Sequence, residues 1–107
     1  MKLEIDHELK PAEAKNRMKA LGEYWEKKYG IKSKWTKDAV NVVGTIMGFK
    51  FDATLTVGKE QVVLEGPEPN FLIKKKVIGY LEHKLTQYLD SETSLKDLQK
   101  KVDEVDD

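Results

Sequence analysis

Residues 31–66 alternate between apolar and polar side chains, and this period of two restricts the fold more than any other feature of the sequence. Two-residue hairpin turns at Lys37–Asp38, Met47–Gly48 and Gly58–Lys59 would place nearly all apolar side chains of four strands on one face. The opposite face would then be polar except for two valines. The sequence therefore predicts a four-stranded antiparallel meander with one face against a core and one face in water.

The assumed turns also determine which residues face each other across the sheet. The predicted pairs are Trp35–Val40, Ser33–Val42, Ile46–Phe49, Gly44–Phe51, Val42–Ala53, Val40–Leu55, Leu55–Val62 and Ala53–Leu64. At residues 45–48 a longer loop is an equal alternative, because methionine disfavours the positive φ of a tight turn.

Apolar residues at helical spacing flank the alternating region on both sides. The first helix covers residues 11–29, with proline in its first turn, and Gly30 can take the left-handed conformation that ends it. The second helix covers about residues 70–90, and we predict that the side chain of Asn70 caps its first turn. A short strand over residues 2–7 precedes both helices, because its apolar residues alternate with charged ones.

These elements predict an α+β fold class: a two-layer structure with a mainly antiparallel sheet in the order β-α-β-β-β-β-α and both helices on one face. We assign residues 1–90 to this single domain. The place of the first strand stays open, because it can lie parallel beside the strand at residues 31–36 through a right-handed crossover, or elsewhere on the sheet. A helix-grip arrangement is the alternative architecture.

Residues 91–107 carry six acidic residues against three lysines, and we interpret them as an acidic C-terminal tail. Ser94 can cap a short helix there. Four apolar residues follow the spacing of a narrow coiled-coil seam: Leu95, Leu98, Val102 and Val105. The tail is then either frayed in water or a docked helix. The helix can dock on its own domain or on a second subunit, and the second arrangement would make the chain a homodimer.

The residues that carry most enzyme chemistry are scarce or badly spaced in this sequence. There is no cysteine, which excludes disulfides and thiolate zinc sites. His7 and His83 each adjoin a carboxylate, but adjacent residues do not share a face of a strand or helix, so neither forms a metal site or a catalytic pair by itself. We therefore predict no enzymatic activity, no catalytic residue, no metal and no cofactor.

The chain has 19 basic and 19 acidic residues, so its formal net charge is zero and any anionic partner needs a local basic patch. Lysines interleave with aromatic residues over residues 25–37, as in single-strand binders, but the aromatic residues fall on the predicted buried side. Nucleic-acid binding is therefore not expected. Since no apolar run approaches the roughly 20 residues that span a bilayer, we expect a cytoplasmic protein without a membrane span.

Large apolar residues lie at the ends of predicted elements, where loops are normally polar. These candidate apolar contacts are Ile46, Met47, Phe49, Phe71 and Leu72. They either close the rim of the core or contact an oily surface or partner. If the second helix stands away from the sheet, a cavity for a small hydrophobic ligand would form instead, with Trp35, Phe51, Leu55, Val77 and Tyr80 as its lining.

The order of parts resembles a known family. The residues that carry the resemblance are Tyr29–Gly30 at a helix end, Trp35, the alternating strand Phe49–Val57, the run Gln61–Leu64, Phe71–Leu72, and Ile78, Leu81, Leu85 and Leu89 in the long helix. Over residues 1 to about 90 the chain is similar to the small bacterial proteins of the polyhydroxyalkanoic acid system family. Members of this family are associated with polyhydroxyalkanoate, a polyester that cells store in granules. The resemblance therefore implies a cytoplasmic accessory role in polyester storage, with the granule surface or a granule protein as partner.

Overall fold

The computed structural model describes residues 1–46 and 48–103 of the chain. The elements, in chain order, are β1 (Lys2–Asp6), α1 (Pro11–Tyr29), β2 (Lys32–Thr36), β3 (Ala39–Ile46), β4 (Phe49–Val57), β5 (Gln61–Glu65), α2 (Lys74–Leu89) and α3 (Leu95–Asp103). The predicted α+β class and the order of the first seven elements are confirmed, and α3 follows them.

The strands of the described chain form one five-stranded sheet in the order β1-β5-β4-β3-β2, and each neighbouring pair is antiparallel. Of the two placements left open for β1, the parallel one beside β2 is wrong and the one elsewhere on the sheet is correct, because β1 and β2 are the opposite edges of the sheet. β1 pairs with β5, where Leu3 faces Leu64 and Ile5 faces Val62. This pairing puts the apolar side chains of β1 beside those of β5. Because β1 and β2 are at opposite edges, α1 crosses the sheet between them.

The predicted register is correct from β2 to β4 and shifted by two residues between β4 and β5. Ile46 faces Phe49, as predicted, and Met47 of the predicted turn lies outside the described residues. Leu55 faces Leu64 instead of Val62. The turn is centred one residue later than predicted, because the Gly58 N–H donates to the Gln61 carbonyl at 2.8 Å. A Cβ on Gly58 would lie 2.7 Å from that oxygen, which explains the glycine. A shift of two residues leaves every side chain on its predicted face.

The first helix has its predicted bounds, whereas the second begins four residues later than expected. Gly30 ends α1 with a φ of 73°, and its N–H donates to the Glu26 carbonyl at 2.9 Å. Asn70 does not cap α2, because its side-chain oxygen accepts the Leu72 N–H at 2.9 Å within a separate turn. The helix starts at Lys74 and has no side-chain cap on Ile73.

The helices α1 and α2 cover one face of the sheet and run antiparallel to each other. Trp25 of α1 is buried at the centre, with its ring 6.3 Å from the ring of Phe51 and its Nε1–H donating to the Tyr80 hydroxyl at 3.2 Å. The other face of the sheet is open to solvent, and Val43 on it is 44% exposed. The predicted division into a dry face and a wet face is therefore confirmed.

The predicted tail contains an ordered helix that packs on the domain. The Ser94 hydroxyl accepts the Asp97 N–H at 3.2 Å, so the predicted cap is present. Leu98 is fully buried and Leu95 is half-buried, and α3 lies against α1. The other two residues of the predicted seam, Val102 and Val105, lie outside the residues whose side chains the structure describes.

Candidate functional site

The structure divides the five candidate apolar contact residues into two groups. Ile46 is buried, and Phe49 is half-buried with its ring 6.1 Å from the ring of Phe51, so both belong to the rim of the core. Met47 lies outside the described residues. Phe71 and Leu72 remain 83% and 78% exposed, far more than any other large apolar side chain in the described part of the chain.

The exposure of Phe71 and Leu72 is imposed by the loop that carries them. Pro69 before them is buried, and Ile73 after them packs on the core. Between these anchors Asn70 accepts two backbone hydrogen bonds: its side-chain oxygen takes the Leu72 N–H at 2.9 Å, and its carbonyl takes the Ile73 N–H at 3.0 Å. The two apolar side chains are therefore displayed on a short loop with hydrogen-bonded geometry and anchored ends.

Charged groups fix the base of the same loop to the first strand. The Met1 amino group donates to the Gly66 carbonyl at 2.8 Å and lies 3.1 Å from a carboxylate oxygen of Glu68. The other carboxylate oxygen of Glu68 lies 2.8 Å from the Lys74 ammonium. The hydrogen bond from Lys74, together with the one from the amino group, lowers the pKa of Glu68 below its usual value.

A shallow depression of about 490 Å³ lies beside the exposed pair, at the start of α2. Its lining consists of Phe71, Lys74, Lys75, Ile78, Gly79 and Glu82. We call Phe71, Leu72, Lys74, Lys75, Ile78 and Gly79 the Phe71 patch. A Cβ at Gly79 would meet nothing within 4 Å, so this part of the helix is bare. An apolar pair beside the exposed Lys75 suits contact with an oily surface that also offers hydrogen-bond acceptors.

The five candidate cavity residues do not share one environment. Phe51, Leu55 and Val77 are buried in the core, and the side chain of Trp25 contacts both Phe51 and Tyr80. Trp35 is instead half-exposed on the edge strand β2, where the Lys15 and Lys19 ammonium groups lie 5.8 and 5.6 Å from its ring centre. A hydrophobic-ligand site formed by these five residues stays a prediction.

His7 has a structural position that the sequence did not reveal. It is 8% exposed, and its Nδ1 accepts the Leu9 N–H at 3.1 Å, so this nitrogen carries no proton. Its Nε2–H donates to the Gly58 carbonyl at 3.0 Å. The ring thus joins the end of β1 to the turn between β4 and β5. His83 is exposed on α2. No group of three or more potential metal ligands exists among the described residues.

The buried position of Arg17, the only arginine of the chain, was also not predicted from the sequence. Arg17 is 2% exposed on α1, and its guanidinium donates to the Asp90 carbonyl at 2.7 Å, to the Tyr88 carbonyl at 3.4 Å and to Glu13 at 3.1 Å. A positive charge at the C-terminal end of a helix is favourable, so Arg17 fixes the end of α2 against α1. Arg17 falls within the apolar stripe of α1, between Ala14 and Leu21, and this position is the signal that the sequence offered for its burial.

None of the helices in the described residues is long and apolar enough to cross a membrane. A family model described as "Putative polyhydroxyalkanoic acid system protein" matches residues 1–92. Comparison with curated proteins and with solved structures gives no match. The match includes β1 to α2 and stops before α3. Because this family model covers most of the length of the chain, the chain belongs to the polyhydroxyalkanoic acid system family.

Proposed function

We propose that this chain is a non-enzymatic accessory protein of polyhydroxyalkanoate storage in the cytoplasm, and that it contacts the granule surface through the Phe71 patch. The observation that carries the proposal is the exposure of Phe71 and Leu72 on a loop between the buried Pro69 and Ile73, which packs against the core. Family membership supports the link to the polyester system.

The chemistry of the patch suits the surface of an aliphatic polyester. Such a surface presents apolar hydrocarbon groups together with ester carbonyl oxygens, which accept hydrogen bonds from ammonium groups. Phe71 and Leu72 would bury their apolar area against the hydrocarbon, and the exposed Lys75 would reach the carbonyl oxygens. Contiguous apolar exposure beside polar groups is typical of interaction sites on otherwise well-packed domains.

Fractionation of cells that make the polymer tests this proposal. We expect the wild-type chain to move from the soluble fraction to the granule fraction as polymer accumulates, and the Phe71→Ser/Leu72→Ser double variant to stay soluble. Val43→Ser is the matched control, because Val43 is exposed on the solvent-facing side of the sheet and is not part of the Phe71 patch. A soluble wild-type chain at every polymer content would overturn the proposal.

The same fractions distinguish the polyester surface from a granule protein as the partner. Particles of purified polyester carry no protein, so wild-type chain that pellets with them contacts the polymer itself. Binding to native granules but not to these particles would contradict contact with the polymer. Loss of that granule binding in the double variant would then assign the Phe71 patch to a granule protein.

A further inference from the structure

Two lysine ammonium groups from different helices converge on one phenol oxygen at the contact between α1 and α2. The Lys28 Nζ lies 3.1 Å from the Tyr24 hydroxyl oxygen, and the Lys84 Nζ lies 3.5 Å from the same oxygen. Aromatic rings hold both cations: Lys84 Nζ is 4.5 Å from the Tyr24 ring centre, and Lys28 Nζ is 5.6 Å from that of Tyr29. Two positive charges therefore meet at one point, and one of them, Lys28, is exposed to solvent.

No carboxylate of the described residues lies within 4 Å of either ammonium group. The sequence explains this, since the positions three and four residues away from Lys28 and Lys84 on their helices hold no acidic residue. Other lysines of the chain do have such partners: Lys74 pairs with Glu68 and Lys32 with Glu26. The cluster thus has a local excess of positive charge in a chain whose formal net charge is zero.

Tyr24 responds to this excess charge. Burial of its hydroxyl acts most strongly and opposes ionisation, yet the hydrogen bond from Lys28 and the charges of Lys84 and Lys28 lower the pKa of Tyr24 below its usual value. Negative charge at the position of this oxygen is therefore stabilised by its surroundings. An external anion with an oxygen at hydrogen-bond distance would gain the same stabilisation.

We propose that Lys28, Lys84 and Tyr24 form a binding site for a small oxyanion group, a phosphate or a carboxylate. The two ammonium groups donate to the oxygen atoms of the anion, and the Tyr24 hydroxyl turns to donate its own proton to it. Gln87, whose side-chain oxygen lies 3.5 Å from the Lys84 Nζ, adjoins the site. These residues are distinct from the Phe71 patch, so this site stands or fails independently of the proposed function.

Titration of the full chain with inorganic phosphate or with acetate tests the site, with sodium chloride at matched ionic strength as the reference. The readout is the NMR signal of the lysine ε-methylene groups. We expect saturable shifts for Lys28 and Lys84, and an affinity that falls about tenfold in Lys28→Met and in Lys84→Met. Lys50→Met, an exposed lysine on the open sheet face, should bind like wild type. The anion that saturates identifies the class, phosphate or carboxylate.

A second readout follows the ionisation of Tyr24 by near-ultraviolet absorbance, with Tyr24→Phe to assign its signal. A bound oxyanion competes with the phenolate for the two ammonium groups, so the midpoint of Tyr24 ionisation should rise when the saturating anion replaces chloride. Lys28 is exposed, so Lys28→Met should fold. This variant therefore still tests the site if Lys84→Met fails to fold. The proposal would be overturned if the lysine NMR shifts in phosphate and acetate equal those in chloride, or if they are unchanged in Lys28→Met.

Discussion

Tyr88→Phe is expected to stabilise the fold, because the Tyr88 hydroxyl is buried without a partner. The side chain of Tyr88 is 0% exposed, and its hydroxyl makes no hydrogen bond to any described residue. A buried hydroxyl without a partner costs about 1–3 kcal/mol. Phenylalanine keeps the ring, whose centre lies 6.3 Å from that of Tyr24. We expect the free energy of unfolding to rise by about 1 kcal/mol and the Tm by about 5 °C.

The matched control is Tyr80→Phe, which removes a hydroxyl that does have a partner. The Tyr80 hydroxyl accepts the Nε1–H of the buried Trp25 at 3.2 Å. Its removal leaves that N–H without this acceptor, so we expect the free energy of unfolding to fall by about 1 kcal/mol. The same chemical change should therefore have opposite signs at the two positions.

Alkaline pH provides a second measurement on the same hydroxyl. Burial raises the pKa of Tyr88 from 10.0 to about 12. Between these values the unfolded chain loses the proton and the folded chain keeps it, so the free energy of unfolding falls as pH rises. This loss reaches up to about 3 kcal/mol, and Tyr88→Phe should remove it.

Urea unfolding at neutral pH and at a series of pH values up to about 11 measures both effects. We expect Tyr88→Phe to have a higher urea midpoint than wild type at neutral pH and a smaller fall above pH 10. A lower midpoint at neutral pH would show that the hydroxyl has a stabilising partner and would refute the reasoning. An unchanged alkaline fall would refute the assignment of that fall to Tyr88.

Three further outcomes are expected from residues outside the core centre. Arg17→Lys keeps the charge but loses the planar fork, so urea unfolding should show a loss of about 2 kcal/mol, and an unchanged midpoint would contradict its role at the end of α2. Leu98→Ala should cost about 2–4 kcal/mol by the same assay, because Leu98 is fully buried where α3 packs on the domain, and an unchanged midpoint would contradict this packing. Because the pKa of Glu68 is lowered, its ion pairs stabilise the fold above its usual pKa and are lost as pH falls. Glu68→Gln should accordingly show a smaller loss of Tm on acidification than wild type; an equal loss would contradict this.

The sheet was largely predictable because side-chain alternation separates a dry face from a wet one. The same pattern could not detect the two-residue shift between β4 and β5, since Leu55 meets an apolar partner in either register. It could not place β1, because Leu3 and Ile5 would suit either edge of the sheet. Asn70 was misassigned because an asparagine side chain bonds equally well within a turn or at a helix start.

The candidate sites depend on contacts between distant parts of the chain, which spacing alone does not reveal. The sequence identified Phe71 and Leu72 as apolar residues at an element end, but it could not show that Ile46 turns inward while they stay exposed. Arg17 meets the Asp90 carbonyl 73 positions later. Lys84 meets Tyr24 60 positions earlier, across two helices whose packing must be known first.

Partition of the purified chain onto protein-free polyester particles tests the role of the Phe71 patch most directly. Full burial of a Phe or Leu side chain contributes about 1.5–3 kcal/mol, and most of both side chains is still exposed at 83% and 78%. Phe71→Ser/Leu72→Ser should then lose at least about 2 kcal/mol of surface binding, a decrease of about thirtyfold or more in the partition constant, with the far-ultraviolet CD spectrum unchanged. Equal partition of wild type and the double variant would contradict the account.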